Sequence, residues 1–245
     1  MEMNLDQTQT VAEIARQHPG TVAVFEALGI DYCCGGNKSL RDACANRNVS
    51  VDDVLSHLAD ALVMHPAQGE QHWMTSTVAD LCSYITERHH AFTKRELPRL
   101  STLAEKVELR HGHMYPELHQ IRELVDALNS EMSMHMLKEE QVLFPRLKVV
   151  EESATRGTHP PPAFFGALIN PIRHMMSDHD DTGEMFRSLR GLTHAYCAPE
   201  DACASFRALY QGIEALELDI HQHIHLENNI LFPRAVELED RLCSI

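Results

Sequence analysis

The chain repeats itself. At an offset of 88, His135-Met-Leu-Lys-Glu139-Glu-Gln-Val142-Leu-Phe-Pro-Arg146 lies over His223-Ile-His-Leu-Glu227-Asn-Asn-Ile230-Leu-Phe-Pro-Arg234. The apolar positions leading into each copy match as well. Leu118, Ile121, Val125, Leu128, Met132, His135, Glu139 and Val142 step by three and four residues, and so do Phe206, Leu209, Ile213, Leu216, Ile220, His223, Glu227 and Ile230. That spacing is one inward stripe of a helix. Each stripe is apolar except for one imidazole and, a turn later, one carboxylate. A buried carboxylate without a partner costs several kcal/mol or takes up a proton. One such pair reads as a His–Glu hydrogen bond in a core; two at matching depth read as one site between helices.

Two further segments complete the set. At an offset of 89, Ile172, Met175, His179, Thr182, Phe186 and Leu189 align with Ser83, Thr86, His90, Thr93, Leu97 and Leu100. Each half therefore supplies a single His and a His-x-x-x-Glu: His90 with His135 and Glu139, and His179 with His223 and Glu227. Four imidazoles and two carboxylates suit two metal ions, each with two His, the two Glu bridging, and a position left for another ligand. Iron fits this donor set, with manganese and zinc as alternatives, because the ligand types do not separate them. Lack of thiolate in the stripes argues against copper(I) and iron–sulfur clusters. His89, His221 and His225 fall off the inward stripe and are expected to be solvated or to lie behind the ligands. His111, His113, His119 and His174 are expected away from the metal. Pro98, Pro145 and Pro233 predict bends rather than helix ends.

The remaining sequence predicts an all-α chain. Helical patterns cover roughly 74–109, 116–151, 171–197 and 201–240, with a longer loop through Thr158-His-Pro-Pro-Pro162, an arrangement suited to an up-down-up-down four-helix bundle over 72–245. Residues 64–71 predict a linker. Residues 1–63 read as a small helical domain, with Thr10 and Glu13 as a capping box and a turn at Asp31-Tyr-Cys-Cys-Gly-Gly36. Lys and Arg number 21 against 36 Asp and Glu, a formal net charge of −15, which argues against nucleic acid and anionic lipid as partners. Neither a signal peptide nor a membrane span is expected, and the seven Cys are expected to stay reduced in a cytoplasmic setting.

Thr10-Val-Ala-Glu-Ile-Ala, Leu28-Gly-Ile-Asp-Tyr-Cys-Cys-Gly-Gly36, His89-His90 with Glu96-Leu-Pro98, Asp178-His179-Asp180 and the two His-x-x-x-Glu repeats carry a resemblance that runs nearly end to end. The C-terminal segment resembles the hemerythrin-like di-iron bundles, and the whole chain resembles the iron–sulfur cluster repair proteins of the ScdA/YtfE type. The resemblance implies a non-haem di-iron centre, oxo- and carboxylate-bridged, with His90, His135, Glu139, His179, His223 and Glu227 as ligands. It implies donation of iron to iron–sulfur proteins damaged by oxidative or nitrosative stress, with nitric oxide reduction or gas sensing, through nitric oxide or oxygen as ligand, as the alternative. A homodimer is an open expectation. Oxygen-carrying hemerythrins would have a His-x-x-x-x-Asp in the last helix, which here is His-x-x-x-Glu. Asp178 stands where the family more often has Glu. The Gly-Gly turn predicts that Cys33 and Cys34 are exposed, and they are expected to act as a thiol relay, accepting iron or engaging the partner, while their module docks near a bundle end or visits it.

Overall fold

In the computed structural model the described residues are 5–33, 35–64 and 71–243. Cys34 and most of the linker expected at 64–71 lie outside them. The described residues contain helices and no strand, only an isolated bridge between Thr10 and Ser39.

Four long helices run antiparallel in chain order. The first is Val78–Tyr84, the π-turn Ile85–His90 and Ala91–His111; the second is Glu117–Lys138, the π-turn Glu139–Leu143 and Phe144–Arg156. The third is the uninterrupted helix Ile169–Leu192, and the fourth is Ala204–Leu226, the π-turn Glu227–Leu231 and Phe232–Cys243. The helices continue past Pro98, Pro145 and Pro233. Pro145 and Pro233 each come one residue after a π-turn, whose cap residues Phe144 and Phe232 donate their backbone N–H to the Glu139 and Glu227 carbonyls, five residues back. Widening the turn before a proline gives its ring room against the carbonyls it would otherwise strike.

The repeat also ties the helices together. The Glu151 carboxylate accepts from the backbone N–H groups of Val78 and Ala79, at 2.6 and 2.9 Å, and so caps the first bundle helix. Its repeat partner Glu239 accepts from Leu168 N–H at 2.7 Å at the start of the third. Helix N-termini carry unpaired donors and partial positive charge, so a carboxylate satisfies both. Arg146 donates to the Pro161 carbonyl, and its counterpart Arg234 donates to those of Trp73 and Ser76. The first and fourth helices approach closely at Gly212, where a Cβ would stand 2.6 Å from Leu100 Cδ2.

The third helix stops at Leu192, short of the expected 197. His194, Ala195 and Tyr196 have φ of 49°, 56° and 63°, a left-handed run that costs non-glycine residues about 1 kcal/mol or more each. Tyr196 offsets part of this: its hydroxyl donates to Glu217 at 2.8 Å, and Arg190, which also binds Glu217, lies over its ring.

Two apolar clusters fill the molecule. One joins the 97–136 and 186–224 stretches of the bundle to the N-terminal helices, and the other packs 78–85, 143–150, 168–175 and 226–242. Between them lies a buried polar layer. The N-terminal helices Val11–Gln17, Val22–Ala27, Leu40–Arg47 and Val51–Met64 do not dock at a bundle end as expected. Tyr32, 1 % exposed, meets His221 and His225 edge-on, and its carbonyl accepts from Asn229 Nδ2 at 3.3 Å, so the turn lies on the flank of the fourth helix. Gly36 makes the turn this tight: a Cβ there would stand 2.5 Å from the Tyr32 carbonyl oxygen.

Candidate metal centre

The polar layer is made of the six residues the repeat singled out. His90, Glu139, His223 and Glu227 are each 0 % exposed, His179 is 1 % and His135 is 3 %. They form two groups that share both carboxylates: His90, His223, Glu139 and Glu227 on one side, and His135, His179, Glu139 and Glu227 on the other.

The atoms within each group converge. His90 Nε2 and His223 Nε2 face one another at 3.3 Å, Glu139 Oε2 lies 3.3 Å from the first, and Glu227 Oε1 lies 3.0 Å from the second. Across the layer, His135 Nε2 and His179 Nε2 are 3.1 Å apart, Glu139 Oε1 is 3.3 Å from His135, and Glu227 Oε2 is 3.2 Å from His179. Each carboxylate thus turns one oxygen to each side. Donors held about 2.1 Å from one divalent ion at roughly right or tetrahedral angles lie roughly 3.0–3.4 Å apart, which is the spacing found here. Four carboxylate oxygens are buried without well-formed hydrogen bonds, a costly arrangement that bound cations remove. The donor set therefore fits two metal ions.

Electrostatics point the same way. Burial pushes the Glu139 carboxyl up, but the surrounding imidazoles, His135 foremost, hold it well below the usual range. Burial pulls His135 down, and Glu139 and Asp178 more than offset it, raising it to about 10. His223 is lowered by burial, which Glu227 only partly opposes. Without a metal, the layer must hold its negative charge by keeping protons on its imidazoles.

Behind the ligands, three Nδ1 atoms are held. His90 Nδ1 lies 2.7 Å from Glu140 Oε1, His135 Nδ1 lies 3.3 Å from Asp178 Oδ2, and His179 Nδ1 lies 2.9 Å from Asn228 Oδ1. Such partners fix the tautomer and orientation of a ligating imidazole. Lys94 and Lys138 in turn bind Glu140 and Asp178, at 2.6 and 2.9 Å. The hydrogen bond to His135 and then Lys138 push Asp178 down to about 2. Phe144 stacks on His90 and Phe232 on His179, with ring centroids 5.7 and 6.2 Å apart. Stepping along the inward stripes does not single out Glu140, Asn228, Phe144 or Phe232. Their signal was present, since Glu140 with Asn228 and Phe144 with Phe232 are pairs at the offset of 88.

The structure bears out some of the remaining expectations and corrects others. His89 and His225 are fully buried and His221 is about one-quarter exposed. None of the three is freely solvated: His89 lies behind the ligand His223, one of the two places expected for it, and turns to Asp219 of the fourth helix, while Tyr32 covers His221 and His225. Cys33 is 5 % exposed, packed into the core with the turn lying against the fourth helix, so the exposure expected of it does not hold. His111, His119 and His174 lie away from the polar layer as expected, engaged with Cys203, Glu108 and the Asn170 carbonyl. Val142 is exposed and Leu143 takes its inward place, because the π-turn adds a residue to the register. A surface cleft lined by Glu131, His135, Lys138, Asp178 and Thr182 reaches the His135 side of the layer.

Antiparallel helices closed around two imidazole pairs and two shared carboxylates define a cation-binding helical bundle. The chain belongs to the hemerythrin HHE cation binding domain family, whose model matches residues 83–235, while residues 7–62 match ScdA_N, described as a domain of unknown function. It is 35 % identical over 231 residues to the iron–sulfur cluster repair protein YtfE of Pectobacterium carotovorum, covering 94 % of this chain and 98 % of the relative. It is 34 % identical to a probable iron–sulfur cluster repair protein of Haemophilus influenzae and 35 % to YtfE of Escherichia coli O81, each over 228 residues, 93 % of this chain and 96 % of the relative.

Proposed function

We propose that this chain repairs iron–sulfur clusters damaged by oxidative or nitrosative stress, donating iron held in a non-haem di-iron centre. The observation that carries this reading is the pair of buried carboxylates, each turning one oxygen to each of two imidazole pairs. His90 and His223 would hold one ion and His135 and His179 the other, with Glu139 and Glu227 shared. The repair activity is that of the relatives described above, named as iron–sulfur cluster repair proteins. Iron is then the cargo, and the cleft beside His135 is the short way to solvent. The clients would be damaged iron–sulfur proteins in the cytoplasm; no helix among the described residues is long and apolar enough to cross a membrane.

The test is a transfer assay. The iron-loaded chain is mixed anaerobically with an enzyme whose cluster has been destroyed by nitric oxide or peroxide, and iron is counted on both proteins. Recovery of activity matched by stoichiometric iron loss supports donation; recovery with no iron leaving this chain contradicts it. A thiol relay belongs to the same reading, and because Cys33 is buried it requires the turn to lift from the fourth helix. The Cys33→Ser/Cys34→Ser variant should keep its iron and repair poorly, and parental repair by this variant would remove the thiols from the route.

A further inference from the structure

The repeat pairs residues around the ligands, and at one position the pairing breaks. Residues 178 and 89 are equivalent at the offset of 89, as are the ligands 179 and 90; residues 135 and 223 are equivalent at the offset of 88. Asp178 holds Nδ1 of His135. At its equivalent place beside His223 stands His89, and it makes no hydrogen bond there. His223 Nδ1 is buried without a hydrogen-bond partner, alone among the four ligating imidazoles.

His89 instead presents its face. Its ring lies nearly parallel to that of His223, with centroids 5.9 Å apart and planes 13° from one another, an offset stack. It is itself fixed: its Nδ1 is 3.1 Å from Asp219 Oδ2, its Nε2 is buried with no hydrogen-bond partner, and Arg88 lies 3.8 Å from the other Asp219 oxygen. The Asp219 bond therefore sets where the ring lies, and the ring in turn limits the rotation of His223.

We propose that His89 is a positioning residue for His223, fixing by ring stacking the ligand that Asp178's counterpart would have fixed by hydrogen bonding. This rests on the di-iron reading. It makes the two ions inequivalent: the ion between His135 and His179 has both imidazoles held at Nδ1, while the ion between His90 and His223 depends on a packed ring for one of its two.

The test uses the full chain loaded anaerobically with iron-57, following release of each ion to a colorimetric chelator and the Mössbauer signals of the two irons. In His89→Ala one ion should leave at least about tenfold faster, the scale expected on losing a group that orients a ligand, with the other ion at the parental rate and one iron signal altered. His89→Phe keeps a ring face without the polar atoms and should bring release back to within about threefold of the parent. Asp219→Asn keeps both rings and should loosen the same ion by a smaller factor, and this variant decides the matter with His89→Phe if His89→Ala does not fold. Parental release of both ions or equal loosening of both in His89→Ala (in Asp219→Asn should that variant not fold), or a His89→Phe variant no better than His89→Ala, would overturn the proposal. A parent chain holding no iron would instead defeat the di-iron reading, and that result is visible before any variant is made.

Discussion

The His135–His179 side and the His90–His223 side of the polar layer grow from the same twelve-residue pattern, yet they meet the outside differently. The first borders a surface cleft, and Asp178 and Lys138 stand at its edge. The second has all of its donors fully buried, with His89 and Asp219 packed behind His223. Duplication fixes which atoms converge, because a helix stripe repeats its depth along with its residues. Access is set by the residues flanking that stripe, where the two copies have diverged.

The largest effect should come from what the two sides share. Glu139→Gln removes a bridging charge from both groups and should leave the chain with well under one ion in place of two. His90→Ala, which touches one side, should cost about one ion. Elemental analysis of the two variants separates a shared layer from two independent sites, and equal losses would break the comparison.

Next in size is a pH effect on the chain stripped of metal. His135 rises from near 6.5 to about 10 on folding, so its pairing contributes fully below pH ~6.5 and is lost as pH climbs toward about 10. That loss should be on the order of a few kcal/mol. Denaturant unfolding of the stripped protein should show stability falling over this window. The metal-loaded protein should lack that fall, since imidazole must give up its proton to bind an ion and loading strengthens as pH rises.

Tyr32→Ala tests the N-terminal module on the flank of the fourth helix. It removes a fully buried ring and should cost about 3 kcal/mol or more, seen as a lowered thermal midpoint; a change under about 0.5 kcal/mol would mean that the turn does not rest on the fourth helix in solution. The smallest effect sharpens the open side. Asp178→Ala frees His135 Nδ1 and should weaken one ion about tenfold, or about 1.4 kcal/mol, read by chelator competition, with the ion between His90 and His223 unmoved.

The six candidate donors were legible because stepping by three and four residues is a direct consequence of helix geometry. The third helix shows this without interruption: Ile172, Met175, His179, Thr182, Phe186 and Leu189 are all buried as their spacing predicts. The same arithmetic fails by one residue beside the π-turns, where Cys82 and Leu143 are buried in place of Ser83 and Val142. Nothing in hydrophobic periodicity marks an inserted residue, although Pro145 and Pro233 stand just beyond two of the three insertions. The docking of Tyr32 and the burial of Cys33 were not legible, since they depend on which outer face of the fourth helix the module covers. The left-handed run at His194–Tyr196 was not legible either, because it is held by Glu217 and Arg190 from other turns of the chain.

The central claim is a pair of irons bridged by Glu139 and Glu227, and an iron count with Mössbauer spectroscopy on the anaerobically purified full chain tests it most directly. Close to two irons per chain, giving the signals of two magnetically coupled ions, are expected. A folded chain that restores a damaged cluster while holding one iron, or none, would contradict it.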